Sequence, residues 1–179
     1  TIKRCKTLEP TLLWGSIPCV GGCRYNIDIN QWKSEELHAR VAAHQDTYRK
    51  LWETFVTAAR VNRKNGGKMV IEWPKSCVYW KDKPVISFIQ ELGLRIAEVH
   101  GCSVGTVDAK GLPLNKPWYI ATDDSVIFDA LNVLRCPGCR KHGRNENKAC
   151  KATENYTDRF VKIVHVAWKE SVSRRGTNN

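Results

Sequence analysis

The sequence predicts an α/β fold: a mostly parallel sheet with flanking helices, followed by a Cys/His knuckle and one more helix. Three observations carry that expectation. Short apolar runs that end in proline alternate with stretches of helical periodicity. The 179 residues are 42% hydrophobic and include seven tryptophans, enough for one sizeable core. Three cysteines crowd around a histidine between positions 136 and 150, a pattern of ligands rather than of packing.

The elements follow in order. Residues 10 to 17, PTLLWGSI, form an apolar run stopped by Pro18 and predict a buried strand entering a loop. From Ser34 to about Asn65, Leu37, Val41, Tyr48, Leu51, Trp52, Phe55 and Ala59 recur at three- and four-residue spacing, which predicts a helix. Ser34 would cap it, Glu35 and Glu36 would suit its first turn, and Gly66-Gly67 would stop it. KMVIEW, residues 68 to 73, predicts a second strand, ended by Pro74. KPVISFIQELGL, residues 83 to 94, predicts a helix with Pro84 in its first turn and Gly93 at its end. RIAEVHG (95–101) and KPWYIAT (116–122) predict two further strands joined through the Gly111 and Pro113 turn region. Asp123 or Asp124 would cap a helix from Ser125 to about Leu134, and YTDRFVKIVHVAWKESV predicts the last one. The expected organisation is an α/β half-domain over 1–134, with the knuckle and C-terminal helix of 135–179 packed on it.

Lys and Arg outnumber Asp and Glu by 29 to 18, a formal charge of +11. Such a surplus favours a polyanionic partner, nucleic acid first. No apolar stretch approaches the roughly 20 residues of a membrane span. The opening TIKRCKTLEP lacks the apolar core of a secretory signal. With eight cysteines in a chain of this size, a reducing, intracellular setting and a metal site are expected rather than a disulfide framework.

CPGCRKHGRNENKAC, residues 136 to 150, places Cys136, Cys139, His142 and Cys150 as four soft or borderline ligands in one loop. Thiolate and imidazole in this number suit tetrahedral zinc, and four protein ligands leave no open position, so the role would be structural. Arg140, Lys141, Arg144, Lys148 and Lys151 surround the knuckle and would face phosphates. His38, His44, His100 and His165 sit within helix or strand patterns and are expected to be packed or solvated.

SIPCVGGC, residues 16 to 23, leaves three readings of Cys19 open: a nucleophile on a sharp strand-to-loop turn, half of a metal clip with Cys23, or a buried thiol. The Cys19 to Cys23 spacing misses the Pro-Cys-x-x-Cys of zinc deaminases by one residue, and no His-x-Glu accompanies it. If the strands ending at Pro18 and Pro74 pair in parallel, Cys19 and Glu72 share the rim where such sheets bind ligands.

A strand ending in Pro-Cys, a helix, a strand ending in a glutamate, a second helix and a two-stranded hairpin together resemble the second half of cytosine-5 DNA methyltransferases. The pattern is closer still to methyltransferase-like segments of eukaryotic mobile-element polyproteins. Those carry IPC-x-G-G, IEWP, GC-x-x-G and KPW motifs and a terminal Cys/His cluster, matched here from Leu12 to Tyr156. The resemblance implies a partial Rossmann-like, methyltransferase-like sheet. It also implies that Cys19 adds to a cytosine ring while Glu72 holds the ring nitrogen. Lys116 and Trp118 of the KPW strand would contact nucleic acid, with Trp73, Trp80 and Tyr119 as further stacking candidates. Two departures stand out: the Gln and Arg pair of the third family motif is missing around Lys116, and no Phe-x-Gly-x-Gly segment precedes the Pro-Cys loop. S-adenosylmethionine is therefore expected only if a missing half is supplied. The function expected is a nucleic-acid-binding, methyltransferase-like domain of a mobile element, nuclear, with DNA preferred to RNA. The alternative is a non-catalytic, zinc-stabilised binding module.

Overall fold

A computed structural model describes residues 10–143 and 155–176. Its strands are β1 (Leu12–Gly15), β2 (Lys68–Pro74), β3 (Arg95–His100) and β4 (Pro117–Thr122); its helices are α1 (Arg24–Asp28), α2 (Glu35–Lys64), α3 (Lys83–Leu92), α4 (Ser125–Asn132) and α5 (Asp158–Gly176). The four strands form one sheet in the order β1-β2-β4-β3. Only β1 and β2 run parallel, and the rest of the sheet is antiparallel. The expectation of a mostly parallel sheet is corrected on this point. A parallel pair needs a crossover; α2 supplies one between β1 and β2. The segment between β3 and β4 holds only the 3-10 turn Gly101–Val104 and a Val107–Pro113 bridge, so the chain turns straight back. The chain divides into two compact units, residues 1–95 and 96–179.

In the first unit, the Ser34 hydroxyl accepts the Leu37 amide at 3.2 Å, and acidic and basic residues sit at the ends of α2 that suit the helix dipole. Asn62, buried at the far end of α2, donates to the carbonyls of Thr11 (3.1 Å) and Lys68 (2.8 Å), tying the starts of both parallel strands together. Gly67 allows this, because a Cβ there would lie 2.3 Å from Asn62 Oδ1. The register that results sets Gly15 opposite Ile71. Met69, Val70 and Ile71 are fully buried, as in a strand covered on both faces. Around them stand Trp52, Phe55, Trp73 and Phe88; Trp52 meets Phe88 edge-on at 5.4 Å, and Trp73 Nε1 donates to the Ile17 carbonyl at 2.7 Å.

The second unit packs Val99, Val104, Leu114, Ile120, Ile127, Leu131 and Phe160. Asp124 caps α4, accepting the Ile127 amide at 2.9 Å, and its other oxygen accepts the Ser171 hydroxyl of α5. Thr157 accepts the Phe160 amide at 3.2 Å and donates to the Val104 carbonyl at 2.6 Å, which starts α5 on the turn that follows β3. Among the described residues no helix is long and apolar enough to cross a membrane.

Candidate metal centre and the Cys19 rim

Cys102, Cys136, Cys139 and His142 converge so that their ligand atoms all lie within 4.8 Å of one another. Two elements deliver them. Cys102 stands in the 3-10 turn that ends β3, and the other three follow α4. The ends of β3 and α4 are stitched together: the His100 amide donates to the Leu134 carbonyl at 2.9 Å, the Ser103 hydroxyl reaches that carbonyl at 2.9 Å, and the Cys136 amide donates to His100 Nδ1 at 3.1 Å. Beyond the ligands, the Gly143 amide donates to the Pro113 carbonyl at 2.9 Å. A side chain at Gly143 would collide with the Asp108 carboxylate, 2.3 Å from the position of a Cβ.

One pair of the group already has the spacing of a tetrahedral ion's ligands. Zinc bonds of about 2.3 Å to sulfur and 2.0–2.1 Å to nitrogen put neighbouring S and N ligands roughly 3.5 Å apart, and Cys136 Sγ lies 3.5 Å from His142 Nε2. The electrostatics also favour thiolate. Backbone amides of Cys139 and then Gly138 point at Cys136 Sγ and draw its thiol down to about 6, a geometry the positive φ of Gly138 (90°) permits. Burial, and then Cys136 itself, push Cys102 up to about 12. A cation at the centre would displace the protons that remain on the thiols.

The local spacing expected Cys150 as the fourth ligand. Cys150 lies outside the described residues, as do Arg144, Lys148 and Lys151. Among the described residues a fourth candidate ligand comes instead from Cys102, in the turn that ends β3. The Gly-Cys-x-x-Gly turn was the only local signal for Cys102, and nothing in it spelled a ligand.

Arg140 and Lys141 are exposed, directly between the ligands Cys139 and His142. Lys116 is half-buried, with its ammonium 5.7 Å from the centre of the Trp118 ring. Trp118 itself is 4% exposed and packs on Phe160, and Trp73 is 1% exposed. Both are core residues, so the expectation that they stack on bases is corrected: their rings are already covered. Trp80, half-buried, donates to the Pro74 carbonyl at 3.1 Å, and Tyr119 is half-buried.

In the first unit, the parallel β1–β2 pair carries Cys19 and Glu72 to the same end of the strands. The Ser16 hydroxyl donates to Glu72 Oε2 at 3.2 Å, and Glu72 is buried at 6% exposure. Cys19, half-buried, opens a 3-10 turn in which the Gly22 amide donates to the Cys19 carbonyl at 2.9 Å. This turn lies against the Cys77–Tyr79 segment: a Cβ on Gly21 would come within 2.6 Å of the Tyr79 hydroxyl, and one on Gly22 within 2.9 Å of Cys77 Sγ. The two glycines are therefore needed for close approach. Burial pushes the Cys77 thiol up to about 12; the Tyr79 amide works against it, and the nearby Cys19, Cys23 and Glu72 groups add to it. Among the described residues these groups do not form a second metal cluster, which leaves a metal clip of Cys19 and Cys23 without further ligands. Comparison with protein-family models, with curated proteins and with solved structures returns no match for this chain.

Proposed function

We propose that the chain is a nucleic-acid-binding, methyltransferase-like domain whose Cys102, Cys136, Cys139 and His142 hold a structural zinc ion. The observation that carries this reading is the convergence of four soft ligands with two exposed cations, Arg140 and Lys141, on the ligand loop itself. Four protein ligands fill a tetrahedral zinc and leave no position for substrate, so the ion would order the loop rather than act as a Lewis acid. The ordered loop then offers fixed charge to phosphates, in a chain with a formal charge of +11. A mobile-element origin and a nuclear setting belong to the same reading and rest on the sequence resemblance.

The test is binding of a short DNA duplex, a DNA single strand and an RNA hairpin at a series of salt concentrations. DNA affinity is expected to fall steeply with salt. Arg140→Glu combined with Lys141→Glu should weaken binding at every sequence and flatten the log–log salt slope by about two. Affinity indifferent to salt, or unchanged by the double variant, would remove the ligand loop from the interface.

A second reading is favoured by one observation, the placement of Cys19 and Glu72 beside Cys77 at the end of a parallel strand pair. There the Cys19 sulfur would add to a cytosine ring as thiolate, and a protonated Glu72 would hold the ring nitrogen as charge builds on it. S-adenosylmethionine would supply the methyl group only with a further segment present. Trapping on an oligonucleotide containing 5-fluorocytosine, with that segment and S-adenosylmethionine supplied, should occur and be lost in Cys19→Ser. Without trapping, the non-catalytic module stands.

A further inference from the structure

Behind the candidate metal centre runs a chain of contacts that the ligands themselves do not require. His100 is the last residue of β3, two positions before Cys102. Its Nδ1 accepts the backbone amide of Cys136 at 3.1 Å. An amide can only donate, so the ring hydrogen must sit on the other nitrogen. That nitrogen, Nε2, lies 3.0 Å from Glu98 Oε1, and Glu98 Oε2 is 3.2 Å from the Arg135 guanidinium. His100 and Glu98 are each 19% exposed at the side chain, screened from bulk water without being sealed off.

We propose that His100, fixed in one tautomer by Glu98, is the positioning residue of the metal centre: it sets the orientation of Cys136, and through it the amide-to-sulfur contacts of the ligand loop. This rests on the reading of the Cys/His group as a metal site. The reasoning is geometric. Cys136 Sγ is held by the amides of Gly138 and Cys139, so its direction depends on how the peptide entering the loop is turned. That peptide carries the Cys136 amide, and His100 Nδ1 is its acceptor. Because His100 also borders the Gly101–Val104 turn, one ring aligns ligands from both elements. Groups in the second layer around a metal commonly contribute ten- to a hundredfold in affinity by such alignment. Glu98 meets the ring at Nε2. Its part is to keep the hydrogen on Nε2 and the lone pair on Nδ1.

Two amide substitutions separate this role from packing, since each imitates one ring nitrogen. In His100→Asn the side-chain oxygen takes the place of Nδ1 and keeps an acceptor for Cys136. In His100→Gln the amide reaches the place of Nε2, keeps the contact with Glu98 and abandons Cys136. Cobalt(II), titrated into the metal-free full chain, is the probe; its visible d–d bands report tetrahedral thiolate coordination. The expected result is an affinity and band position in His100→Asn within about threefold of the parent, and a loss of about ten- to a hundredfold in His100→Gln with shifted bands. Nitrogen NMR of the cobalt-free chain should show Nε2 of His100 carrying the hydrogen. Equal loss in both variants, loss in neither, a larger loss in His100→Asn, or the opposite tautomer would each overturn the proposal. Failure of the parent chain itself to bind cobalt would instead overturn the metal site on which it rests.

Discussion

The two units use the same residue, cysteine, in opposite ways. Among the described residues of 1–95, Cys19 and Cys23 are half-buried, while Cys77 is buried and pushed up to about 12, which makes it a small hydrophobe. Among the described residues of 96–179, Cys102, Cys136 and Cys139 are half-buried; Cys136 meets amide donors and an imidazole and is drawn down to about 6, while burial and then Cys136 push Cys102 up to about 12. What distinguishes Cys77 from Cys136 is which influence wins. Burial outweighs the Tyr79 amide that points at Cys77, whereas the Cys139 and Gly138 amides outweigh burial at Cys136. Both units have apolar cores; the second adds a convergence of Cys and His side chains that could hold a metal, and that contrast predicts where each is vulnerable.

The largest effect expected falls on the second unit. Cys102→Ser and Cys136→Ser should each abolish binding of one zinc equivalent and lower the melting temperature to that of the chelated parent, whereas Cys150→Ser should keep both. Metal analysis of the purified variants decides it. Structural zinc sites carry roughly 10–16 kcal/mol of apparent binding free energy in zinc-finger peptides, so the loss would dominate any packing change. Zinc retained in Cys102→Ser and lost in Cys150→Ser would return the site to the local spacing.

Next comes the core of the first unit. Trp73 is 1% exposed, sits among Trp52, Tyr48, Tyr79 and Trp80, and donates to the Ile17 carbonyl. Trp73→Ala is expected to cost about 3–5 kcal/mol in denaturant unfolding and to leave zinc content untouched. Zinc lost along with it would erase the contrast between the units.

A smaller effect is expected at Gly143. A methyl group there meets the Asp108 carboxylate, 2.3 Å away, so Gly143→Ala should cost about 1–3 kcal/mol and loosen His142. Asp108→Ala, in the same background, should restore cobalt affinity; no restoration would place the fault elsewhere.

The smallest effect is a matter of pH. The Cys77 thiol is raised in the folded chain, so folding keeps its proton on. Stability from this source is fully present below the ordinary thiol value of 9.0 and is lost as pH rises toward about 12. Between those limits Cys77→Ala should lose stability less steeply than the parent in urea titrations. Parallel slopes would mean that Cys77 reaches water in the folded state.

Much of this was written in local patterns. The apolar spacing from Leu37 to Ala59 and the cap at Ser34 specified α2, because a helix closes its bonds within the segment that forms it. Pro84 and Gly93 bounded α3 for the same reason. Cys136, Cys139 and His142 were legible as ligands because a tight turn places neighbours in sequence beside one another in space. What lay beyond local reach was decided by pairing and packing. The sheet is mostly antiparallel because the 101–116 connection turns back on itself, a choice that no single strand encodes. Trp118 looked available to a base and proved to be core, since a strand's alternation does not say which side the protein will cover. Cys102 joins the candidate ligands, and His100 accepts the Cys136 amide, because β3 and α4 end side by side. A tetrahedral site needs four directions in space, and one short loop offers three candidate ligands for it.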